Sequence, residues 1–166
     1  MDSAVVVPIK AFHAAKARLA AALGAQERAA LARRMAATVL AAGAPLDRFV
    51  VCDDDEVAEF AVANHAKVLW MPDRGLNGAV EAGVAEVGDA GYDHVVVAHS
   101  DLPLATRLPR LATAGTVTLV PDRHGDGTNV IALPTDLGLP VPVRAGQLPP
   151  PFGTRRRPRR RPAGRA

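Results

Sequence analysis

Four short stretches of the chain carry residue types able to do chemistry together. Lys10, Lys16 and Arg18 place three cations within nine residues, directly after an apolar run. Cations on a loop at a strand's carboxyl end can surround a triphosphate; taken alone they read more simply as a solvated basic loop. Asp101 follows the apolar run ending at Ala98 and precedes Leu102-Pro103-Leu104. A carboxylate on a proline-stiffened turn is placed to hold Mg²⁺ that also touches substrate phosphates, the plainer alternative being a local turn hydrogen bond. Arg74-Gly75-Leu76-Asn77-Gly78 opens a helical pattern. Free amides there favour an anion or a polar base edge, and a simple turn with Asn77 as N-cap fits equally. Asp122–Asn129 holds Gly125, Gly127 and Thr128, whose N–H and O–H groups can meet a phosphate or carboxylate. Its Asp-Gly pair also suits a hairpin, and Asp122 and Asp126 are weaker metal candidates.

Other chemistries are missing their parts. His13, His65 and His94 have no partner at zinc-ligand spacing, and His99 reads as a solvent-facing or hydrogen-bonded neighbour of Asp101. There is no nucleophile elbow and no P-loop.

The elements that must position these residues follow from hydrophobic pattern. Ala4–Val7, Arg48–Cys52, Lys67–Trp70, Asp93–Ala98, Thr116–Val120 and Asn129–Leu133 read as strands. Glu27–Ala42 has Ala29, Leu31, Met35, Val39 and Leu40 at helical spacing and ends at Gly43. Asp54–Asn64 and Asn77–Val87 read as further helices, and Pro109–Ala114 as a short one. Strands that are continuous apolar runs, alternating with helices, imply an α/β fold with a mostly parallel sheet covered on both faces. Ligands in such sheets sit beyond the strands' carboxyl ends, which gathers the loops Pro8–Arg18, Met71–Gly78, His99–Leu104 and Pro121–Thr128.

The chain has 166 residues, 49% of them hydrophobic but only 4% aromatic, so aliphatic side chains and Ala must fill the core. Cys52 is the single cysteine, inside an apolar run; it excludes an internal disulfide and suits a reducing compartment. No secretory signal or membrane-length apolar window is visible, so a cytoplasmic protein is expected. The net charge of +3 conceals an asymmetry: seven arginines lie between Arg155 and Arg165, and the remaining 13 Lys and Arg face all 17 Asp and Glu. Eight of the 14 prolines lie from Pro134 onward. Residues 1–140 therefore read as the folded domain, mildly acidic, and residues 141–166 as a Pro/Arg-rich disordered tail.

Taken together the loops resemble the 2-phospho-L-lactate or phosphoenolpyruvate guanylyltransferases of coenzyme F420 biosynthesis. The matching pieces are V-P-I-K-A-F-H-A-A-K-A-R-L at Val7–Leu19, G-L-N at Gly75–Asn77, S-D-L-P-L at Ser100–Leu104 and P-D-R-H-G-D-G-T-N at Pro121–Asn129. The likeness covers roughly residues 4–135; G-L-N and D-L-P-L are shared with wider nucleotidyltransferases, such as those of the molybdenum cofactor. It implies a compact three-layer nucleotidyltransferase fold, Mg²⁺ as cofactor, and transfer of GMP from GTP to a small phosphorylated acid. It implies Lys10, Lys16 and Arg18 for the GTP phosphates, with Lys10, Lys16 and Asp101 catalytic and Asp101 on the metal. It further implies Gly75, Leu76 and Asn77 for the nucleoside, and Gly127 and Thr128 for the acid. Nucleic acid and membrane are not expected partners; a homodimer is compatible.

Two departures stand out. Pro72-Asp73-Arg74 is shorter than the glycine-bearing stretch the family carries before G-L-N. The family also continues with something like F-x-x-G-x-S-F-x-x-H, where this chain reads V-R-A-G-Q-L-P-P-P-F-G-T-R from Val143 to Arg155. One permitted back-translation of that segment, started one base later, reads F-A-P-G-S-F-R-R-H-L-A-R, so the tail is expected to be an out-of-frame product, which the nucleotide sequence tests. The rival readings are another nucleotidyltransferase acting on a sugar phosphate or molybdopterin, an inactive GTP-binding remnant, and a nucleic-acid-binding module led by the arginine tail.

Overall fold

The computed structural model describes residues 1–139; the expected Pro/Arg-rich tail, residues 141–166, and the expected out-of-frame reading of Val143–Arg155 lie outside them. Four strands come first and run parallel: β1 (Ser3–Pro8), β2 (Asp47–Cys52), β3 (Lys67–Trp70) and β4 (His94–Ala98). Parallel neighbours need crossovers, which here run through α1 (Ala25–Ala42), α2 (Asp55–Ala63) and α3 (Gly75–Asp89). Two further strands follow, β5 (Thr118–Pro121) and β6 (Thr128–Pro134), and the single sheet has the order β3-β2-β1-β4-β6-β5.

Burial on both faces explains the continuous apolar runs. On one face Val5, Val7, Val50, Val96 and Ala132 pack with Ala36, Val39 and Leu40 of α1 and Val57 and Ala61 of α2. On the other, Ala4, Val6, Val51, Leu69, Val95, Val97 and Ile131 pack with Ala79, Val80, Val84 and Val87 of α3. The α3 contact is close: a Cβ added at Gly83 would lie 2.7 Å from a Val51 methyl. The three-layer α/β architecture with a mostly parallel sheet is therefore as the sequence implies.

Local chemistry sets the helix starts. The Glu27 carboxylate accepts from the Gly24 amide at 2.7 Å, so α1 begins at Ala25, slightly before the apolar pattern shows. Asp54 caps α2 by accepting from the Val57 amide at 3.1 Å. Cys52 is buried, and burial pushes its thiol pKa up, as befits a core residue.

Five details differ from the sequence pattern. β6 enters between β4 and β5 and runs antiparallel to both, so the last part of the sheet is not parallel. β5, at the edge, alternates partly buried and exposed positions instead of being buried throughout. It also starts at Thr118, and the Thr116 carbonyl just before it lies 3.1 Å from Nε2 of the buried His94. Pro109–Ala114 is not a helix of its own; a 3-10 turn spans Leu108–Leu111. Asn77 is not an N-cap: Gly75, at a φ of 63° that side chains resist, makes the turn, Arg74 takes the cap position, and Asn77 falls inside the first turn. No helix among the described residues is long and apolar enough to cross a membrane.

The reversal of β6 matters for position. β1, β4 and β5 all end, and β6 begins, on one rim of the sheet. Loops distant in sequence thus share one edge.

Candidate active site

The rim is built outward from β1. Pro8 and Ile9 are buried, and the Ile9 amide donates to the Val51 carbonyl at 3.0 Å, carrying the sheet pairing past the strand. Phe12 then pins the loop: it is 1% exposed, meets Phe60 edge to face with centroids 5.1 Å apart, and lies under the Arg33 guanidinium at 4.9 Å. Between these anchors Lys10 stands exposed, and Lys16 adopts a left-handed backbone with φ 55°. Residues held in that region without glycine tend to be fixed by their surroundings at functional positions.

Lys16 reaches across the rim. Its Nζ donates to Oδ2 of Asp101 at 2.8 Å, joining the β1 loop to the β4 loop over 85 residues of sequence. Partial burial pushes the Asp101 carboxyl up, but the Lys16 hydrogen bond and charge outweigh it and hold the group below its ordinary range. Asp101 is therefore a carboxylate throughout the neutral range.

Three cavities meet at these residues. The first, about 210 Å³, is lined by Lys10, Lys16, Leu76, His99, Ser100 and Asp101 among others. The second, about 220 Å³, shares Lys10 and Leu76 with it and continues to Gly75, Met71, Cys52 and Asp53. The third is a broad groove of about 900 Å³ that shares Asp101 and runs between the Leu102–Leu111 segment and the Asp122–Val130 loop. Asp101 stands where the first cleft and the groove adjoin.

The structure thus brings Lys10, Lys16, Gly75, Leu76 and Asp101 together. Arg18 does not join them: it is exposed in the 3-10 turn Ala17–Leu19 and lines none of the three cavities. Asn77 is half-buried in α3 and lines none of them either. Gly127 is buried and its carbonyl accepts from the Asp122 amide at 2.8 Å, closing the loop. The β4–β6 register pairs Ala98 with Val130, so two residues further along Thr128 stands level with Ser100. The His99 amide donates to the Asn129 carbonyl at 3.0 Å and ties the two loops side by side.

Asp122 organises its loop. Its Oδ1 accepts from the amides of His124 (2.9 Å) and Asp126 (3.2 Å), and despite the upward push of desolvation these backbone bonds lower its pKa. The sequence pattern passed over Asp53 and Ser100 and undervalued His99, all of which line the clefts. Their position, one or two residues beyond a buried strand, was the available signal.

Among the described residues no group of three His, Cys, Asp or Glu side chains converges. Mg²⁺ commonly takes one or two carboxylates and completes its shell with substrate phosphates and water. One ionised carboxylate at the lip of a cleft lined by lysines fits that mode and does not fit a resident all-protein site.

Known proteins are similar to this chain. Residues 3–141 match the sequence model of a family described as "Guanylyl transferase CofC like". The phosphoenolpyruvate guanylyltransferase of Sphaerobacter thermophilus is 35% identical over 80% of this chain, and that of Conexibacter woesei 37% over 80%. The 2-phospho-L-lactate guanylyltransferase of Methanothermobacter thermautotrophicus is 32% identical, again over 80%. The chain spans 69%, 65% and 62% of these three relatives' lengths, respectively. Among solved structures, a Desulfovibrio desulfuricans protein assigned to the nucleotide-diphospho-sugar transferases superposes with a TM-score of 0.66 at 19% identity, covering 82% of this chain and 65% of its own. A Methanothermobacter nucleotidyl transferase does so with 0.52 at 21% identity, covering 82% and 73%. These last two likenesses concern the fold.

Proposed function

We propose, from the premise that this chain belongs to the CofC-like guanylyl transferase family, that it transfers GMP from GTP to phosphoenolpyruvate or 2-phospho-L-lactate in coenzyme F420 biosynthesis. The observation that carries the reading is the convergence of Lys10, Lys16, Leu76 and Asp101 on one cleft at the carboxyl ends of β1 and β4.

In this reaction a phosphate oxygen of the acid attacks the α-phosphorus of GTP. The bond from that phosphorus to the bridging oxygen of the β-phosphate breaks, pyrophosphate leaves, and a new P–O–P linkage joins GMP to the acid. The attacking oxygen is already anionic near neutral pH, so no general base is needed, in keeping with a site that has no triad or dyad. Positioning and charge neutralisation supply the rate. Lys10 and Lys16 hold the triphosphate and offset the charge that builds on departing pyrophosphate. Lys16 exchanges its bond to Asp101 for a phosphate oxygen, which frees the Asp101 carboxylate. Mg²⁺, when bound by Asp101, supplies further neutralisation of the triphosphate. Gly75 and Leu76, at the start of α3 and in the lining of the second cavity, are assigned to the nucleoside, and Gly127 and Thr128, which line none of the three cavities, are assigned to the acid by the resemblance alone. Arg18, outside the clefts, attracts the anions from a distance.

The test is pyrophosphate release from GTP with each acid, alongside a panel of ATP, CTP and UTP. Release that requires GTP and one of the two acids is expected. Preference for CTP or UTP, or no release with either acid, overturns the proposal.

A further inference from the structure

The loop that carries Lys10 and Lys16 has little of its own to hold it in place. From Lys10 to Arg28, Phe12 is the one buried residue. The backbone bonds of this stretch are internal turns: the Ala14 amide donates to Ala11, Ala15 to Phe12, Leu19 to Lys16 and Ala20 to Ala17. None among the described residues ties residues 10–20 to the sheet. Segments with so few buried contacts and outward bonds open locally at little cost. The 3-10 turn Phe12–Ala14 stands between the two lysines, so the place of that turn sets the place of both ammonium groups.

What lies over Phe12 is a cation. The Arg33 guanidinium of α1 stands 4.9 Å from the ring centroid, and the same group donates to the Glu56 carboxylate in the first turn of α2. This is the one ion pair among the described residues that joins two helices. Phe60, four residues beyond Glu56 and so on the same side of α2, meets the Phe12 ring edge to face. Phe12 is therefore clasped by a cation and an aromatic edge, and both are governed by α2. A guanidinium can cover a ring and bond a carboxylate at once, using its plane for one and its N–H groups for the other. Phe12 and Ala32, the neighbour of Arg33, line the first cleft with Lys10 and Lys16. Arg33 lines none of the three cavities, and neither does any residue of α2.

We propose that Arg33, held by Glu56 over the Phe12 ring, is a positioning residue for the β1 loop, fixing its turn so that Lys10 and Lys16 serve one cleft. This rests on the guanylyl-transfer reading for the anion that the lysines meet, and adds what keeps them in register. Arg33 touches no substrate and acts through Phe12. Glu56 keeps the guanidinium on the ring and away from a triphosphate that would otherwise attract it. The clasp thereby gives α2, which lies behind the clefts, a part in how they are shaped.

The full chain is compared with Arg33→Met, Arg33→Lys, Phe12→Leu and the combined Arg33→Met, Phe12→Leu variant. Amide hydrogen exchange of residues 10–20 in the free protein reads the order of the loop, and calorimetric titration of GTP reads its consequence. Arg33→Met is expected to speed exchange in that stretch and to weaken GTP binding, each by about tenfold, with exchange in β1 and β4 and the urea midpoint unmoved. Arg33→Lys, which returns a cation to the ring, is expected to recover about threefold of that loss. The combined variant is expected to be no worse than Phe12→Leu alone, because Arg33 acts only through the ring. Unchanged exchange in residues 10–20, faster exchange throughout the sheet, or losses that add in the combined variant overturn the proposal. Weaker GTP binding with unchanged exchange means that Arg33 meets the nucleotide itself, which overturns it as well. If the parent chain neither binds GTP nor releases pyrophosphate, the guanylyl-transfer reading fails, and the exchange rates of the single and combined variants still decide whether Arg33 holds the loop.

Discussion

The two rims of the sheet treat charge in opposite ways. At the amino ends of the strands, charged and polar groups are spent on one another. Lys67 donates to Asp47 at 3.1 Å, Tyr92 also bonds Asp47, and the Lys67 ammonium lies 5.2 Å over the Phe49 ring. The Asp93 carboxylate accepts from the Asp2 amide at 2.9 Å, and the Thr135 hydroxyl donates to the Tyr92 carbonyl at 2.7 Å. At the carboxyl ends, Lys10, Arg18, Arg107 and Arg110 make no ion pair among the described residues, while Lys16 pairs with Asp101 and Arg33 with Glu56 at the start of α2. Closed pairs at one rim fasten strands; open cations at the other are held ready for anions that the protein does not itself provide. The first cavity, which shares lining residues with each of the other two, falls on the open rim.

That contrast can be broken most forcefully at Asp101. Asp101→Asn removes the one carboxylate that, among the described residues, lines both cleft and groove. GMP transfer is expected to fall about a thousandfold, measured as pyrophosphate release at saturating GTP, with circular dichroism unchanged. Lys16→Met is expected to cost about a hundredfold and to raise the KM for GTP, since it removes a charge aimed at the triphosphate.

The middle of the molecule should answer differently. Gly83→Ala forces a methyl against Val51, where a Cβ would sit at 2.7 Å. Overpacking of this kind costs about 1–3 kcal/mol, read as a lower urea midpoint. The closed rim should respond least: Lys67→Met removes an exposed pair worth at most about 1 kcal/mol and leaves transfer unaffected.

Acid sharpens the comparison further. The folded protein holds the Asp101 carboxyl below its ordinary value, so the stability from the Lys16 pair is present above the unfolded-state pKa of about 3.9. It is lost only as pH falls through the lower folded value. A carbon-detected titration of the Asp101 carboxyl should therefore show no proton uptake between pH 7 and 5; uptake in that window would contradict the Lys16 contact.

Much of the framework was legible because burial writes itself into sequence. Ala4–Val7 and His94–Ala98 lie between two layers, so every position is apolar or, like His94, finds a backbone partner. Cap chemistry is equally local, as at Asp54. The Asn77 cap was misread because Gly75 can turn the chain two residues earlier, a choice set by backbone freedom and not by side-chain pattern. Arg18 was grouped with Lys10 and Lys16 by proximity in sequence, yet a 3-10 turn carries it away from the clefts.

The sequence by itself determined the α/β alternation, the parallel strands, the acidic body with its arginine-rich end, and the four loops able to carry chemistry. Those features follow from period, burial and turn chemistry, which act over a few residues. Only the tertiary structure decided that β6 reverses between β4 and β5, that Lys16 meets Asp101, and that Arg33 covers the Phe12 ring. Such encounters depend on which strand edges pair across long separations, and a local pattern of residues carries no record of that.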